Sequence, residues 1–428
     1  MSRDPSRAAI EAAWHLEWPK LVAALTRLVG DIDLAEDLAQ DALVAALQQW
    51  PSQGVPPRPG AWLMVTARHQ AIDRLRRDKV LAAKHTLLGQ ELLIASAASA
   101  PARDVEDQPA IEDDLLRMIF TACHPVLSPA ARVALTLRLV GGLTVEEIAQ
   151  AYVVPAATIA QRIVRAKRTI AAKRIPYAVP EGPELARRLD SVLDVICLIF
   201  SEGYEATAGD AWLRIDLVEE GLRLARVLGG LLPDEPEVHG LAALLELQAS
   251  RVGARSTPDL AVVLLHDQDR SRWDRLLIRR GYLALQRAHA LSAQHGRPYG
   301  RFALQAAIAA EHAIARTPDH TNWPRLARLY AILAARFPSP VVQLNRVVAV
   351  GMAAGPAAGL ALADELAATG ALDGYHLLHA VRADLLTRLG RFDEAEAAFR
   401  RAAARTANTA EQRLLQDRAA DAALRSGR

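Results

Sequence analysis

Six side chains between Val153 and Lys173 have the types and spacing to read a nucleic-acid groove: Thr158, Gln161, Arg162, Arg165, Lys167 and Arg168. They follow a short segment, Leu143-Thr-Val-Glu-Glu-Ile-Ala-Gln-Ala-Tyr152, that reads as a helix. A capped short helix, a tight turn and a longer basic helix make a helix-turn-helix. Its second helix fits a major groove about 12 Å wide and presents its N-terminal residues to base edges. Thr158, Gln161 and Arg162 are placed for bases, and Arg165, Lys167 and Arg168 for phosphates on the groove walls. The alternative is a generic helical hairpin with a solvated basic face.

Two other charged runs stand out. Arg68, His69, Arg74, Arg76 and Arg77 lie on one helix-forming stretch, preceded by the Pro/Gly-rich segment from Pro51 to Gly60. A basic helix beside such a loop offers phosphate contacts and pockets for unstacked bases; alone, it also reads as a solvated face. Asp31, Asp33, Glu36, Asp37 and Asp41 form an acidic run without an intervening basic residue. It is either solvated or a docking surface for a basic partner.

Catalytic and metal chemistry are not legible. Cys123-His124 has no matching acid or oxyanion-hole loop and reads as a helix-end packing motif before Pro125. The 12 histidines lack ligand spacing, and the 2 cysteines, Cys123 and Cys197, make neither a disulfide framework nor a metal site. There is no P-loop and no dinucleotide-binding glycine pattern. We therefore expect a non-enzyme with no cofactor and no metal. Net charge is only +2 over 428 residues, so nucleic-acid binding must come from local patches. No apolar run approaches a membrane span, and a cytoplasmic protein without membrane contact is expected.

The elements that position these residues are helices. Ala, Leu and Arg dominate, and β-branched and aromatic residues are scarce, so the expected class is all-α. Ile10, Trp14, Leu21, Leu25 and Leu28 make one apolar stripe; Leu34, Leu38, Leu43 and Leu47 make the next after the break at Gly30-Asp31. Pro51 is expected to end that second helix. A third, about Ala61 to Lys79, has Trp62, Val65, Ile72 and Leu75 as its apolar face. Residues 82–112 are small, polar and acidic and read as a linker. Ser128-Pro129 reads as an N-cap with proline at the first helical position, and Thr144 to Glu147 as a capping box. Pro155 is expected to open the basic helix. Beyond Pro176 and Pro183, prolines punctuate further helices at Pro233-Pro236, Pro258, Pro298, Pro318, Pro338-Pro340 and Gly355-Pro356. Gly390-Arg-Phe392-Asp-Glu-Ala395, followed by Phe399 and Ala402, matches tetratricopeptide packing positions, and Gly355 precedes Gly390 by about one ~34-residue repeat. Glu202-Gly203-Tyr204 reads as a helix terminus, and Asp267 to Trp273 as a helix cap; an interdomain contact is the other reading of both.

These segments carry a resemblance. Asp33-Leu-Ala-Glu-Asp-Leu-Ala-Gln-Asp-Ala42 resembles sigma region 2.2, which grips the RNA polymerase β′ clamp. Pro59-Gly-Ala-Trp-Leu63 with Ala67-Arg-His-Gln-Ala-Ile-Asp-Arg-Leu-Arg-Arg77 resembles regions 2.3–2.4, which melt and read the −10 element. Leu135 to Arg174 resembles region 4, which reads the −35 element. No region 1.1 or region 3 is evident, as in extracytoplasmic-function sigma factors. Phe120-Thr-Ala-Cys-His-Pro125, Leu198-Ile-Phe-Ser-Glu-Gly-Tyr204, Asp267-Gln-Asp-Arg-Ser-Arg-Trp273, Leu304-Gln-Ala-Ala-Ile-Ala-Ala310 and Leu344-Asn-Arg346 resemble the subgroup with a fused tetratricopeptide-like extension (ECF42-like). Members usually carry Asn where this chain has Ser201 and His69.

The resemblance implies an all-α protein with sigma-2 at 1–80, an acidic linker at 81–112, sigma-4 at 113–175 and a helical, TPR-like extension at 176–428. It implies that Asp33, Glu36, Asp37, Gln40 and Asp41 bind core polymerase, that Arg68, His69, Arg74, Arg76 and Arg77 line the −10 strand, and that Thr158, Gln161, Arg162, Arg165, Lys167 and Arg168 meet the −35 element. The loop Ser52–Pro59 would capture an unstacked −10 base, Asp73 would pair with a neighbouring arginine, and the linker would thread near the RNA-exit path. The implied partners are core RNA polymerase, through the β′ clamp and β flap, promoter DNA, and the extension itself docking on the sigma domains. A different class stays open: a helix-turn-helix regulator whose repeat domain senses a ligand or partner.

Overall fold

The computed structural model describes residues 5–86, 108–152, 154–205, 213–256 and 262–427. The described residues form two compact units: those up to 150 with 154–195, and 151–152 with those from 196 onward. They contain 18 α-helices and one isolated β-bridge, Ser256 with Val262.

The first unit begins with α1 (Pro5–Val29), α2 (Ile32–Gln53) and α3 (Pro59–Thr86). Gly30, at φ 73, and the N-cap Asp31, whose carboxylate accepts from Leu34 N at 2.8 Å, make the break between α1 and α2. Leu21 and Leu25 are buried, as the stripe predicts; the side chains of Ile10 and Trp14 lie outside the described residues. Pro51 does not end α2. It sits in the last turn, where a missing N–H forfeits only one bond, and the helix closes at Gly54, whose φ of 85 suits glycine and whose N–H reaches Trp50 O at 2.9 Å. Trp50 meets Trp62 edge-on at 5.6 Å, which fixes α3 against α2.

The apolar face of α3 differs from the expected one. Leu63, Ala67 and Ala71 are buried, whereas Val65 is 54% and Ile72 37% exposed. Small residues at four-residue spacing let α3 lie close to α1 and α2. The expected linker also begins and ends in helix: α3 extends to Thr86 and α4 (Gln108–Ala122) starts before 112. Residues 87–107, most of that linker, lie outside the described residues.

α4 packs on α1, and α5 (Pro129–Leu139) on α4 and α1. Ser128 caps α5 through Ala131 N, with Pro129 in the first turn. α6 (Val145–Ala151) and α7 (Ala156–Ala172) follow. Arg27 donates to Asp114 at 2.8 Å, and Tyr177 donates to the carbonyls of Ala23 and Asp114, both at 2.9 Å. These bonds tie α1 to α4 within one packed body. Arg188 and Ser191 of α8 (Gly182–Tyr204) donate to the Phe120 and Cys123 carbonyls at 2.7 and 2.6 Å, so the Phe120–Pro125 turn is held by hydrogen bonds.

The second unit contains the end of α8, then α9 (Ile215–Leu231), α10 (Pro236–Ala249), α11 (Arg275–Gln294), α12 (Arg301–Ile314), α13 (Trp323–Arg336), α14 (Pro340–Ala353), α15 (Pro356–Ala368), α16 (His376–Arg388), α17 (Phe392–Ala403) and α18 (Thr409–Ser426). From α9 on, each helix packs on the next. Proline occupies the first turn of α10, α13, α14 and α15, where its absent N–H costs nothing. Pro258 lies outside the described residues. Gly203, in the last turn of α8, allows the close approach of α9: a Cβ there would fall 2.5 Å from Val218 N. Asp269 caps a short turn at Ser271 N, and Asp274, one residue beyond the Asp267–Trp273 motif, caps α11 at Leu276 N and Leu277 N. Ala395, Phe399 and Ala402 are buried between α16 and α18, and Gly355 and Gly390 take φ 99 and 75.

Candidate nucleic-acid interface

The helix-turn-helix is built as its sequence predicts. Glu147 accepts from Thr144 N at 2.7 Å while Thr144 Oγ1 accepts from Glu147 N at 3.1 Å, a reciprocal capping box that starts α6. Pro155 is the N-cap of α7. Ile159, Ile163, Ala166 and Ile170 form its buried stripe, packed on α5. The opposite side carries exposed Gln161, Arg165 and Arg168 with half-buried Thr158 and Arg162. At 3.6 residues per turn these five share about a third of the helix circumference. A single face therefore presents a hydroxyl, a carboxamide and three guanidinium groups, which suits base edges and phosphates.

Lys167 is not on that face. It lies about half a turn from Thr158 and is only 11% exposed, with its ammonium donating to Asp33 at 2.6 Å and to Glu36. Glu36 also accepts from Arg138 Nε at 2.8 Å, and the Arg138 guanidinium stacks 4.9 Å from the Trp18 ring centroid. Burial alone would lower the Lys167 pKa; the Glu36 charge and the bonds to both carboxylates outweigh it and hold the ammonium above its ordinary value. The basic helix is thereby clamped to the acidic one.

On α2 the acidic candidates divide. Glu36 is buried, 5% exposed, whereas Asp33, Asp37, Gln40 and Asp41 are exposed along one face. That face continues into Val44 and Leu47, each 49% exposed. The sequence assigned Leu47 to the core; it lies instead in an acidic and apolar strip suited to a protein partner. Val44 went unnoticed because apolar spacing does not say which apolar face is covered.

On α3, Arg68, His69, Arg74, Arg76 and Arg77 are all exposed. Arg68, His69 and Arg76 share a face with exposed Val65 and Ile72, giving cations interleaved with apolar surface. The cations of this face suit contact with phosphates. Arg74 and Arg77 point elsewhere by helical geometry, and Arg77 Nε donates to the Asp73 main-chain carbonyl at 3.3 Å.

Cys123 is not poised for catalysis. Its thiol is 1% exposed and sits 3.3 Å from Thr136 Oγ1, and burial raises its pKa to about 12, so it stays protonated. His124 Nδ1 accepts from Val126 N at 3.1 Å, shaping the turn. Among the described residues no acidic, His or Cys cluster could hold a metal, and no helix is long and apolar enough to cross a membrane.

Comparison with known proteins agrees with this geometry. Residues 17–80 match Sigma-70 region 2 and residues 117–170 match Sigma-70, region 4. Residues 188–289 match a family of unknown function, DUF6596. The chain is 42% identical over 395 residues, 92% of this chain and 91% of the relative, to the uncharacterized protein R00370 of Rhizobium meliloti. It is 29% identical over 177 residues to the probable ECF RNA polymerase sigma factor SigI of Mycobacterium tuberculosis, covering 40% of this chain and 57% of that protein. It is 28% identical over 159 residues to the ECF RNA polymerase sigma factor SigK of a Mycobacterium species, covering 36% of this chain and 77% of that one. No solved structure matches. The region 2 match falls on α1–α3 and the region 4 match on α4–α7, so the chain carries both sigma-70 regions and is similar over them to extracytoplasmic-function (ECF) RNA polymerase sigma factors.

Proposed function

We propose that this chain binds core RNA polymerase, directs it to promoters with −35 and −10 elements, and carries a regulatory C-terminal extension. The observation that carries the reading is the pairing of two exposed faces in one unit: the acidic and apolar strip of α2 and the polar, basic face of α7. A repressor that binds DNA alone has no use for the first.

In this reading residues 1–80 are sigma-2, 81–112 a linker, 113–175 sigma-4 and 176–428 a TPR-like extension. Asp33, Asp37, Gln40 and Asp41, with Val44 and Leu47, meet the β′ clamp. Arg68, His69 and Arg76 track the melted −10 strand, with Arg74 and Arg77 adding charge. Thr158, Gln161 and Arg162 read −35 bases, and Arg165 and Arg168 hold phosphates. Glu36 and Lys167, which the sequence assigned to these two interfaces, lie off both exposed faces and satisfy each other. The protein acts where the polymerase is, in the cytoplasm, and the extension replaces a separate anti-sigma factor by docking on the sigma domains.

The test is binding of the full chain to purified core polymerase. Asp37→Lys with Asp41→Lys is expected to abolish it while leaving helical content unchanged. Retained binding would place the polymerase contact outside the α2 strip, and no binding by the unmodified chain would favour the alternative, a helix-turn-helix regulator with a sensing repeat domain.

A further inference from the structure

Within the second unit, the end of α8 and helices α10, α12, α13 and α14 surround a cavity of about 460 Å³. That volume falls in the range of small-molecule sites, roughly 300–1,000 Å³. Three motifs that the faces of α2, α3 and α7 leave unused converge on it: Ser201 and Tyr204 from the first, Gln305 and Ile308 from the second, and Asn345 from the third.

The wall holds one cation and one carboxylate that do not pair with each other. Arg251 is held by the Gln248 side chain, and its guanidinium lies 5.8 Å from the Tyr204 ring and 5.9 Å from that of Trp273. Glu205 is open to water, and its carboxylate makes no hydrogen bond or ion pair among the described residues. The side-chain amides of Gln305 and Asn345 likewise have no partner among the described residues. Tyr204 is 8% exposed, and its hydroxyl is buried without a partner. His312 stays neutral, since burial, then Arg251 and Arg270, push its pKa down to about 3. Leu244, Ile308 and Leu333 supply apolar wall.

A ligand that completes this wall needs an anion for Arg251, a cation for Glu205, hydrogen-bonding groups for the amides and a modest apolar part. We propose that the cavity binds a small zwitterion, an amino acid or dipeptide, with its carboxylate on Arg251, its ammonium on Glu205 and its side chain against Ile308 and Leu333. The site lies in the second unit and is independent of the transcription reading.

The test is isothermal titration of the full chain with the standard amino acids, glycyl dipeptides, and the N-acetyl and C-terminal amide derivatives of whichever bind. At least one free form is expected to saturate a single site. Both masked derivatives should bind about tenfold or more weakly, as expected for loss of a hydrogen-bonded charge. In Glu205→Gln the penalty for N-acetylation should vanish, and in Arg251→Gln the penalty for amidation. Glu205→Gln changes a water-accessible group and carries the test if Arg251→Gln fails to fold. Absence of saturable binding by every free form, equal binding of the masked forms, or an N-acetylation penalty that survives in Glu205→Gln overturns the proposal.

Discussion

Lys167 of α7 donates its ammonium to the buried carboxylate of Glu36 on α2, 131 residues away in sequence. Arg138 holds the other oxygen of Glu36 at 2.8 Å, and exposed Asp33 takes a second ammonium bond at 2.6 Å. One buried carboxylate thus joins the acidic helix, the basic helix and α5.

Removing a partner from a buried, hydrogen-bonded charge leaves the other uncompensated, whereas exposed pairs contribute little. Lys167→Met should therefore destabilise the first unit by about 1–3 kcal/mol, since Glu36 keeps Arg138. Asp33→Asn, which affects an exposed carboxylate, should cost less than about 1 kcal/mol. Urea unfolding checks the order, and equal costs would contradict the buried role of Glu36. The Lys167 pKa is raised in the folded chain, so its contribution is full at neutral pH and is lost only as pH rises through that raised value, above ~10.4. The alkaline loss should be smaller in Lys167→Met.

His312 has the opposite linkage. Its folded pKa is depressed to about 3, so the unfolded chain binds a proton that the folded chain refuses as pH falls below about 6.5. Stability of the second unit should decline from there toward pH 3, by at most about 1.4 kcal/mol per pH unit for this one group. His312→Gln should flatten that slope. An unchanged acid profile would place the acid sensitivity elsewhere.

Much of this architecture is legible locally. The Thr144–Glu147 box, the Ser128 cap and the prolines that open α10, α14 and α15 each act within a few residues, and each forms as read. The errors arise where apolar spacing had to choose a face. Val65 and Ile72 repeat at helical intervals yet lie outside, because alanines at 67 and 71 form the face by which α3 packs closely; Leu47 of α2 also lies outside. The Lys167–Glu36 bond and the cavity were not legible, since both depend on residues brought together only by packing.

Arg162→Ala tests how α7 reads DNA. Loss of a bidentate base contact should cost roughly 1–3 kcal/mol at the preferred −35 base and relax the preference there. Uniform weakening across sequences would mark Arg162 as a phosphate contact. Arg168→Ala should weaken all sequences alike and reduce the salt slope by about 1. Fluorescence anisotropy of holoenzyme on promoter variants, over a salt series, separates the two outcomes.

Leu47→Asp tests the apolar end of the α2 strip. The residue is 49% exposed, so the fold should persist with little change in thermal midpoint. Affinity for core polymerase should fall about tenfold or more if Leu47 is buried at that interface. Unchanged affinity would confine the docking surface to the carboxylates.

The most direct measurement is transcription in vitro with purified core polymerase and a promoter library drawn from the source genome. The account predicts that adding the full chain yields transcripts from a restricted set of templates sharing −35 and −10 elements, and that Asp37→Lys with Asp41→Lys abolishes them. Sequence-specific DNA binding without core polymerase, together with no promoter-selective transcript in its presence, would contradict it.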